Sequence, residues 1–259
     1  FADLYQMYYL NGLMAGALTK SNKIGYVGAF PTPEVVRHID AYALGVMATN
    51  PKAKVEVRWI YSWFDPQKAK EAAEALVAAG VDCLAFTEDT QSVVQVAEEH
   101  TAAGKQVYSF SHYSPMQKYG ENSCVSGQLV DWGVMYVKIF EDIKAGTWTN
   151  ADMWWLTGDK AAELGGAFGV PVNPKFVDAL KAKIVKTADL GEMNVYDLVM
   201  KRYEQMKQGR ETFDCFLGPV KDNKGAVRIP AGTLASKEFV LGPDILWYPE
   251  NVVGDVPSS

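Results

Sequence analysis

Side chains suited to holding a ligand cluster at four places in the chain, each where an apolar run gives way to polar or aromatic residues. These are Phe30, Trp63-Phe64-Asp65, Glu88-Asp89 and Ser111-His112-Tyr113. Trp63 and Phe64 offer flat faces on which a planar ligand can stack; their other reading is as plugs for the end of a sheet. Glu88 and Asp89 offer carboxylate acceptors to an N–H edge, or else cap the helix that starts beside them. His112 is the one histidine at a predicted strand end, whereas His38 and His100 fall on helices and are expected to face solvent. None of this is a catalytic signature. There is no Gly-x-Ser-x-Gly elbow, no His-Glu-x-x-His and no phosphate-binding glycine loop. The run Gly165-Gly166-Ala167-Phe168-Gly169 does not follow a strand and open a long helix, as a dinucleotide site would. No catalytic residue, metal site or cofactor is therefore expected. Cys83, Cys124 and Cys215 lie too far apart for a zinc pattern. Cys83 sits in an apolar run and reads as buried, and spacing does not decide whether Cys124 and Cys215 pair.

The elements that must position these residues follow from periodicity. Residues 54–61 alternate as a strand through Val55, Val57, Trp59 and Tyr61. Ala69, Ala72, Ala73, Leu76 and Val77 then recur at helical spacing up to Gly80. Asp65 is placed to cap that helix with Pro66 at its first position. Strands are likewise predicted at 23–30, 81–87 and 105–111, and helices at 4–18, 34–49 and 91–103. Strands alternating with helices across short turns predict a parallel sheet with right-handed crossovers. Its carboxyl edge, where ligands bind in such sheets, would collect all four chemical segments. Beyond Tyr113 a loop leads to a strand at 124–129 and a helix at 130–145. A strand is predicted at 152–156, helices at 173–183 and 195–208, a short linker between them at 186–193, and a hairpin at 218–232 turning at Asp222-Asn223-Lys224-Gly225.

The chain has 259 residues, 48% of them hydrophobic, enough for one large core or two modest ones. A net charge of −6 argues against a nucleic-acid partner, which needs a basic face. No apolar run is long enough to span a bilayer. A start at Phe1, without Met, reads as processed or truncated.

Tyr9-Leu10-Asn11-Gly12 with Ala15-Gly16 resembles the "YLxGxxAG" helix of the basic-membrane-protein family, bacterial substrate-binding lipoproteins that include purine nucleoside receptors of ABC importers. Residues 24–28, Pro33-Glu34-Val35, Asp40 and Gly45 resemble its next strand and helix. Ser62-Trp63-Phe64-Asp65-Pro66 resembles its aromatic-Asp-Pro turn, and Asp159-Lys160 and residues 247–257 its later segments. The resemblance implies an α/β fold of the type I periplasmic-binding-protein kind, with two Rossmann-like lobes. Residues 23–111 would form the complete second lobe, 112–259 the returning part of the first lobe with hinge crossovers, and 1–22 a connecting helix. Roughly a hundred further residues, the start of the first lobe, would precede this chain.

By the same resemblance Trp63 takes the place of the purine-stacking aromatic and Lys160 lies on the pocket side, its plainer reading being a surface ion pair. Glu88 and Asp89 would favour an amine-bearing edge such as adenine's. The family's nucleoside receptors carry two acidic residues at the fourth strand, suited to ribose hydroxyls, where this chain has Ser111 and Tyr113. That difference points to a free base. The resemblance also implies an ABC permease as partner and a periplasmic or cell-surface location, held to the membrane only by a lipid anchor outside this chain. A nucleoside-cleaving enzyme and the ligand-sensing domain of a regulator are the alternative readings.

Overall fold

The computed structural model describes residues 1–256; Pro257, the last residue of the tail singled out above, lies outside the described residues. In chain order come α1 (Tyr5–Leu18), β1 (Lys23–Gly28), α2 (Pro33–Thr49), β2 (Lys54–Trp59), α3 (Pro66–Ala78), β3 (Cys83–Thr87), α4 (Ser92–Ala102) and β4 (Tyr108–Ser111). The second half adds β5 (Cys124–Val130), α5 (Trp132–Ala145), β6 (Ala162–Leu164), α6 (Pro174–Lys181), β7 (Ile184–Thr187), β8 (Gly191–Asn194) and α7 (Val195–Lys207). It ends with β9 (Val220–Lys221), β10 (Val227–Ile229), α8 (Lys237–Leu241) and β11 (Val252–Gly254).

Seven strands make one sheet in the order β11-β2-β1-β3-β4-β5-β6. All neighbours are parallel except β6, which runs antiparallel to β5. The chain thus builds outward from β1 in both directions, and β11 returns from the far end of the sequence to close one edge. The central strands are apolar on both faces, as a parallel sheet covered by helices requires. On one face α3 and α4 close a core around Val27, Leu76, Leu84 and Phe86. On the other lies the larger core, containing α1, α2 and α7.

Helix α1 is at the centre of that larger core. All fourteen of its residues are buried, which suits a helix apolar or small around its whole circumference. It meets α2 almost backbone to backbone. A Cβ on Gly12 would stand 2.1 Å from the Tyr42 carbonyl oxygen, and one on Gly45 would stand 2.1 Å from that of Tyr9.

Several local expectations are revised. Residues 184–194 form an antiparallel hairpin, β7 with β8, where a helix–helix linker was expected; Gly191, at φ 72°, supplies its left-handed residue. Residues 152–156 make a single bridge, Trp155 to Ala2, in place of a strand. The glycine-rich run at 158–169 contributes β6 instead. His38, expected at the surface, is buried on α2 with Nε2 3.4 Å from the Asp3 carboxylate. His100 is half-buried and meets Glu74 at 2.7 Å. The three cysteines are free thiols, all buried. The hairpin at 218–232 forms as β9 and β10, with Asp222 accepting from the Lys224 and Ala226 amides.

Helix α5, fourteen residues long, buries only Met135, while Trp132, Tyr136, Val137, Phe140 and Ile143 face solvent. A contiguous apolar stripe of that kind promotes association. Residues 1–259 alone are expected to self-associate in analytical ultracentrifugation, and Val137→Lys with Phe140→Lys to restore a monomer. Association undiminished by the two lysines would place the sticky surface elsewhere. The helix contact gives a second expectation: Gly45→Ala should destabilise by about 1–3 kcal/mol, as overpacking does, and lower the thermal midpoint, an unchanged midpoint counting against a rigid contact.

Candidate functional site

The carboxyl ends of β1 to β4 meet at one edge of the sheet. After β1, Thr32 accepts from the Val35 amide to cap α2, and Pro33 opens the helix; Glu34 therefore sits in the first turn, where the helix dipole favours a carboxylate. After β2, Tyr61 adopts a left-handed φ of 51°, Trp63 follows, and Asp65 accepts from the Lys68 amide at 3.0 Å to cap α3. After β3, the Asp89 amide donates to the Trp63 carbonyl at 2.7 Å, tying the third strand end to the second. After β4, Tyr113 turns the chain at φ 68°, and the Ser114 amide donates to the His112 carbonyl at 2.7 Å.

These ends enclose an open cleft of about 450 Å³. Trp63, 39% exposed as a residue, forms one wall and is backed by Phe30 at 5.6 Å between ring centroids. Glu34 and Asp89 bring two carboxylates, Thr87 and His112 form the deeper surface, and Tyr113, Ser114 and Met116 complete it. No lysine or arginine is among the lining residues. Partial burial first, and then the charge of Glu34, raises the Asp89 carboxyl above its usual range; burial, Glu34 and Asp89 together raise the Tyr113 phenol. The two carboxylates are therefore close enough to feel one another, in a cleft that carries no counter-charge of its own.

His112 is buried, and desolvation followed by the neighbouring His38 lowers its pKa to about 3, so it is neutral. Its Nδ1 lies 2.8 Å from the hydroxyl of Tyr8 on α1. That hydroxyl also donates to the Phe86 carbonyl at 2.5 Å and lies 2.9 Å from the Thr87 hydroxyl, which in turn meets Tyr26. The Tyr8 ring stacks on His38, 4.6 Å between centroids.

Of the residues singled out in sequence, Trp63, Asp89, His112 and Tyr113 line this cleft and Phe30 supports it. Phe64 points to solvent at 68% exposure, and Asp65 caps α3. Glu88 turns inward, fully buried, with both carboxyl oxygens engaged by the Thr90 amide and hydroxyl at 2.8 and 3.0 Å. Ser111 is buried beneath the edge. Lys160 lines a different depression, about 790 Å³, between α5 and the segment carrying Trp154 and Trp155. Sequence reasoning missed Glu34 and Tyr8 as members of the site. For Glu34 a signal existed, a carboxylate just after a strand end and one residue past a helix-opening proline. For Tyr8, inside an apolar helix, none did.

Residues 3–188 match the family of PnrA-like ABC transporter substrate-binding proteins, Bmp. The chain belongs to the Bmp family. A purine-binding protein of Brucella abortus is 29% identical over 93% of this chain and 61% of its own length. A putative ABC transporter glucose-binding protein of Haloferax volcanii is 36% identical over 69% of this chain and 44% of its own. This chain thus spans about three fifths and under half of the lengths of those two relatives. An ABC transporter solute-binding protein from Aeropyrum pernix K1 shares the fold at TM-score 0.62 and 15% identity, over 80% of this chain and 64% of that one. The type I periplasmic-binding architecture is therefore that of this Bmp chain. Among its described residues no helix is long and apolar enough to cross a membrane.

Burial raises the Glu88 carboxyl to about 8, against which the Thr90 bonds pull only partly. The folded state then holds a proton that the unfolded chain releases near pH 4.5, so this group's contribution to stability falls as pH rises from about 4.5 to 8. Glu88→Gln mimics the protonated form and can keep both Thr90 bonds. It should remove that decline, leaving the variant on the order of 1 kcal/mol or more above the parent at pH 8 and close to it at pH 5. Urea titrations across that range are the check, and parallel profiles would show that Glu88 is ionised in the fold.

Proposed function

We propose that this chain belongs to the solute-binding protein of an ABC importer, and that it binds a purine base, adenine in preference, between two lobes. The observation that carries the reading is the cleft itself: one exposed indole face beside acceptor groups, with no cationic side chain. A planar ring gains about 1–3 kcal/mol on an aromatic face whatever its edge carries. The edge is then selected by Glu34 and Asp89, which accept hydrogen bonds and, when ionised, cannot donate. Adenine presents an amine where hypoxanthine presents a carbonyl, and the carbonyl would face a carboxylate. The purine-binding relative from Brucella abortus supports the same ligand class.

A free base is favoured over its nucleoside because Tyr113 adds bulk at the fourth strand end and no carboxylate stands there for a ribose diol. Hydrogen bonds to charged groups contribute about 1.5–3 kcal/mol each, so a nucleoside without them gains little for the added desolvation. In this reading the protein binds and releases its ligand unchanged, delivers it to a membrane permease, and works in the periplasm or at the cell surface through a lipid anchor outside this chain.

Calorimetric titration of the full-length protein with adenine, hypoxanthine, adenosine, inosine and D-glucose tests the reading. Adenine should bind at least about tenfold more tightly than the others, and adenosine should be recovered intact. Adenosine binding equal to adenine would remove the free-base reading, tightest binding of glucose would remove the purine reading, and release of free base from adenosine would make the protein an enzyme. Trp63→Ala should weaken adenine at least about tenfold with little change in thermal midpoint. The reverse pattern would mark Trp63 as a structural residue.

A further inference from the structure

The hydrogen-bond geometry beneath the cleft has a direction. The Phe86 carbonyl can only accept, so the single Tyr8 proton is committed to it across 2.5 Å. The Tyr8 oxygen is then left with lone pairs alone for its other two neighbours, Thr87 and His112 Nδ1. Thr87 gives its proton to Tyr8 and accepts from Tyr26, which closes the network without conflict. His112 can satisfy a Tyr8 lone pair at 2.8 Å only by donating from Nδ1. A neutral imidazole has one N–H, so Nε2 is bare.

We infer that Tyr8 locks His112 in the Nδ1–H form, so that Nε2 offers the cleft a lone pair selecting a ligand with a ring N–H at that point. Among the described residues no hydrogen bond to Nε2 is seen; the Gln128 amide, buried and otherwise without a partner, acts on the His112 ring as a side-chain hydrogen-bond partner, an effect outweighed by burial. Burial beside His38 keeps the ring uncharged across the ordinary pH range. Glu34 and Asp89 add two carboxylates, so that beside the hydroxyls of Thr87, Tyr113 and Ser114 the cleft asks for donors at three places. A purine base meets that demand with its amine and its imidazole-ring N–H. A nucleoside has lost the ring N–H to the sugar, as has a base methylated at N9. Tyr8 is thus a positioning residue acting through His112, and His112 is the specificity-determining one.

The choice of probe rests on the proposed purine reading; the tautomer does not, and the two are measured separately. In the ligand-free, full-length protein labelled with 15N-histidine, the long-range proton–nitrogen spectrum should show His112 with Nδ1 protonated and Nε2 bare. An Nε2–H pattern there overturns the inference whatever the ligand proves to be. In calorimetry, adenine should bind at least about tenfold more tightly than 9-methyladenine. Tyr8→Phe frees the ring to take either tautomer; its spectrum should show a mixture, and the adenine preference should shrink to about twofold, chiefly through weaker adenine binding. An undiminished preference in a folded Tyr8→Phe protein overturns the role of Tyr8. Should that variant not fold, Tyr26→Phe, which removes a hydroxyl of the same network outside the cleft but spares Tyr8, is expected to keep both tautomer and preference, and loss of the preference there would overturn the assignment to Tyr8. If neither adenine nor 9-methyladenine binds the parent protein, the purine reading fails while the spectrum still decides the tautomer.

Discussion

The backbone contact of α1 with α2 at Gly12 and Gly45 is the constraint on which the rest of the structure depends. Two helices can approach this closely only where neither carries a Cβ in the crossing. The approach sinks α1 so deeply that all fourteen of its residues are buried. Several polar groups on this buried helix find partners, although the Asn11 amide has none among the described residues. Tyr5 donates to Asp214, and Gln6 accepts from Thr157. Tyr8 reaches the carboxyl ends of β3 and β4 and supports His112 from below. A looser helix pair would move Tyr8 away from the sheet edge, so a packing contact remote from the cleft determines the chemistry of its deepest group.

The same helix pair sets the charge of the cleft. Helix α2 begins at the end of β1, and its cap at Thr32 and its proline at position 33 leave Glu34 in the first turn facing Asp89. Like charges held near each other in a partly dry cleft raise one another's proton affinity, which is the direction found for Asp89. A donor placed between them relieves that repulsion. The arrangement therefore disfavours the empty state slightly and favours a ligand rich in N–H groups, without a counter-ion from the protein.

How much of this was legible in sequence depended on the range of the interaction. The alternation of β2, the Asp65-Pro66 start of α3 and the strand-end position of His112 are local, and all are seen. The Gly12 and Gly45 positions stood in a recognisable motif, although which residues they approach did not. Glu88 illustrates a signal that was present but unused. Side chains alternate along a strand end, so Thr87 and Asp89 share the cleft side while Glu88 between them turns into the protein. His38 shows the opposite case. A helix face carrying a histidine reads as solvated, and only the distant Asp3, itself bonded to Arg37 and Trp154, explains its burial. The hairpin at 184–194 was missed because its strands are four residues each, too short to display a period.

Magnitudes bear on how such a cleft binds at all. Stacking on Trp63 supplies about 1–3 kcal/mol, and two hydrogen bonds to carboxylates about 1.5–3 kcal/mol each. Their sum, about 4–9 kcal/mol, is comparable with the about 4–15 kcal/mol lost when two bodies become one. A ligand held on this surface alone would keep one face in water and bind weakly. Tight binding requires the opposite face to be covered as well, which removes more apolar area from water and strengthens the carboxylate bonds by drying them. The exposure of Trp63, and the tilted packing of Tyr113 on Trp132 at the start of α5, mark the side on which that cover has to close. In the proposed two-lobed protein the strand ends described here supply selectivity, and closure over them supplies most of the affinity.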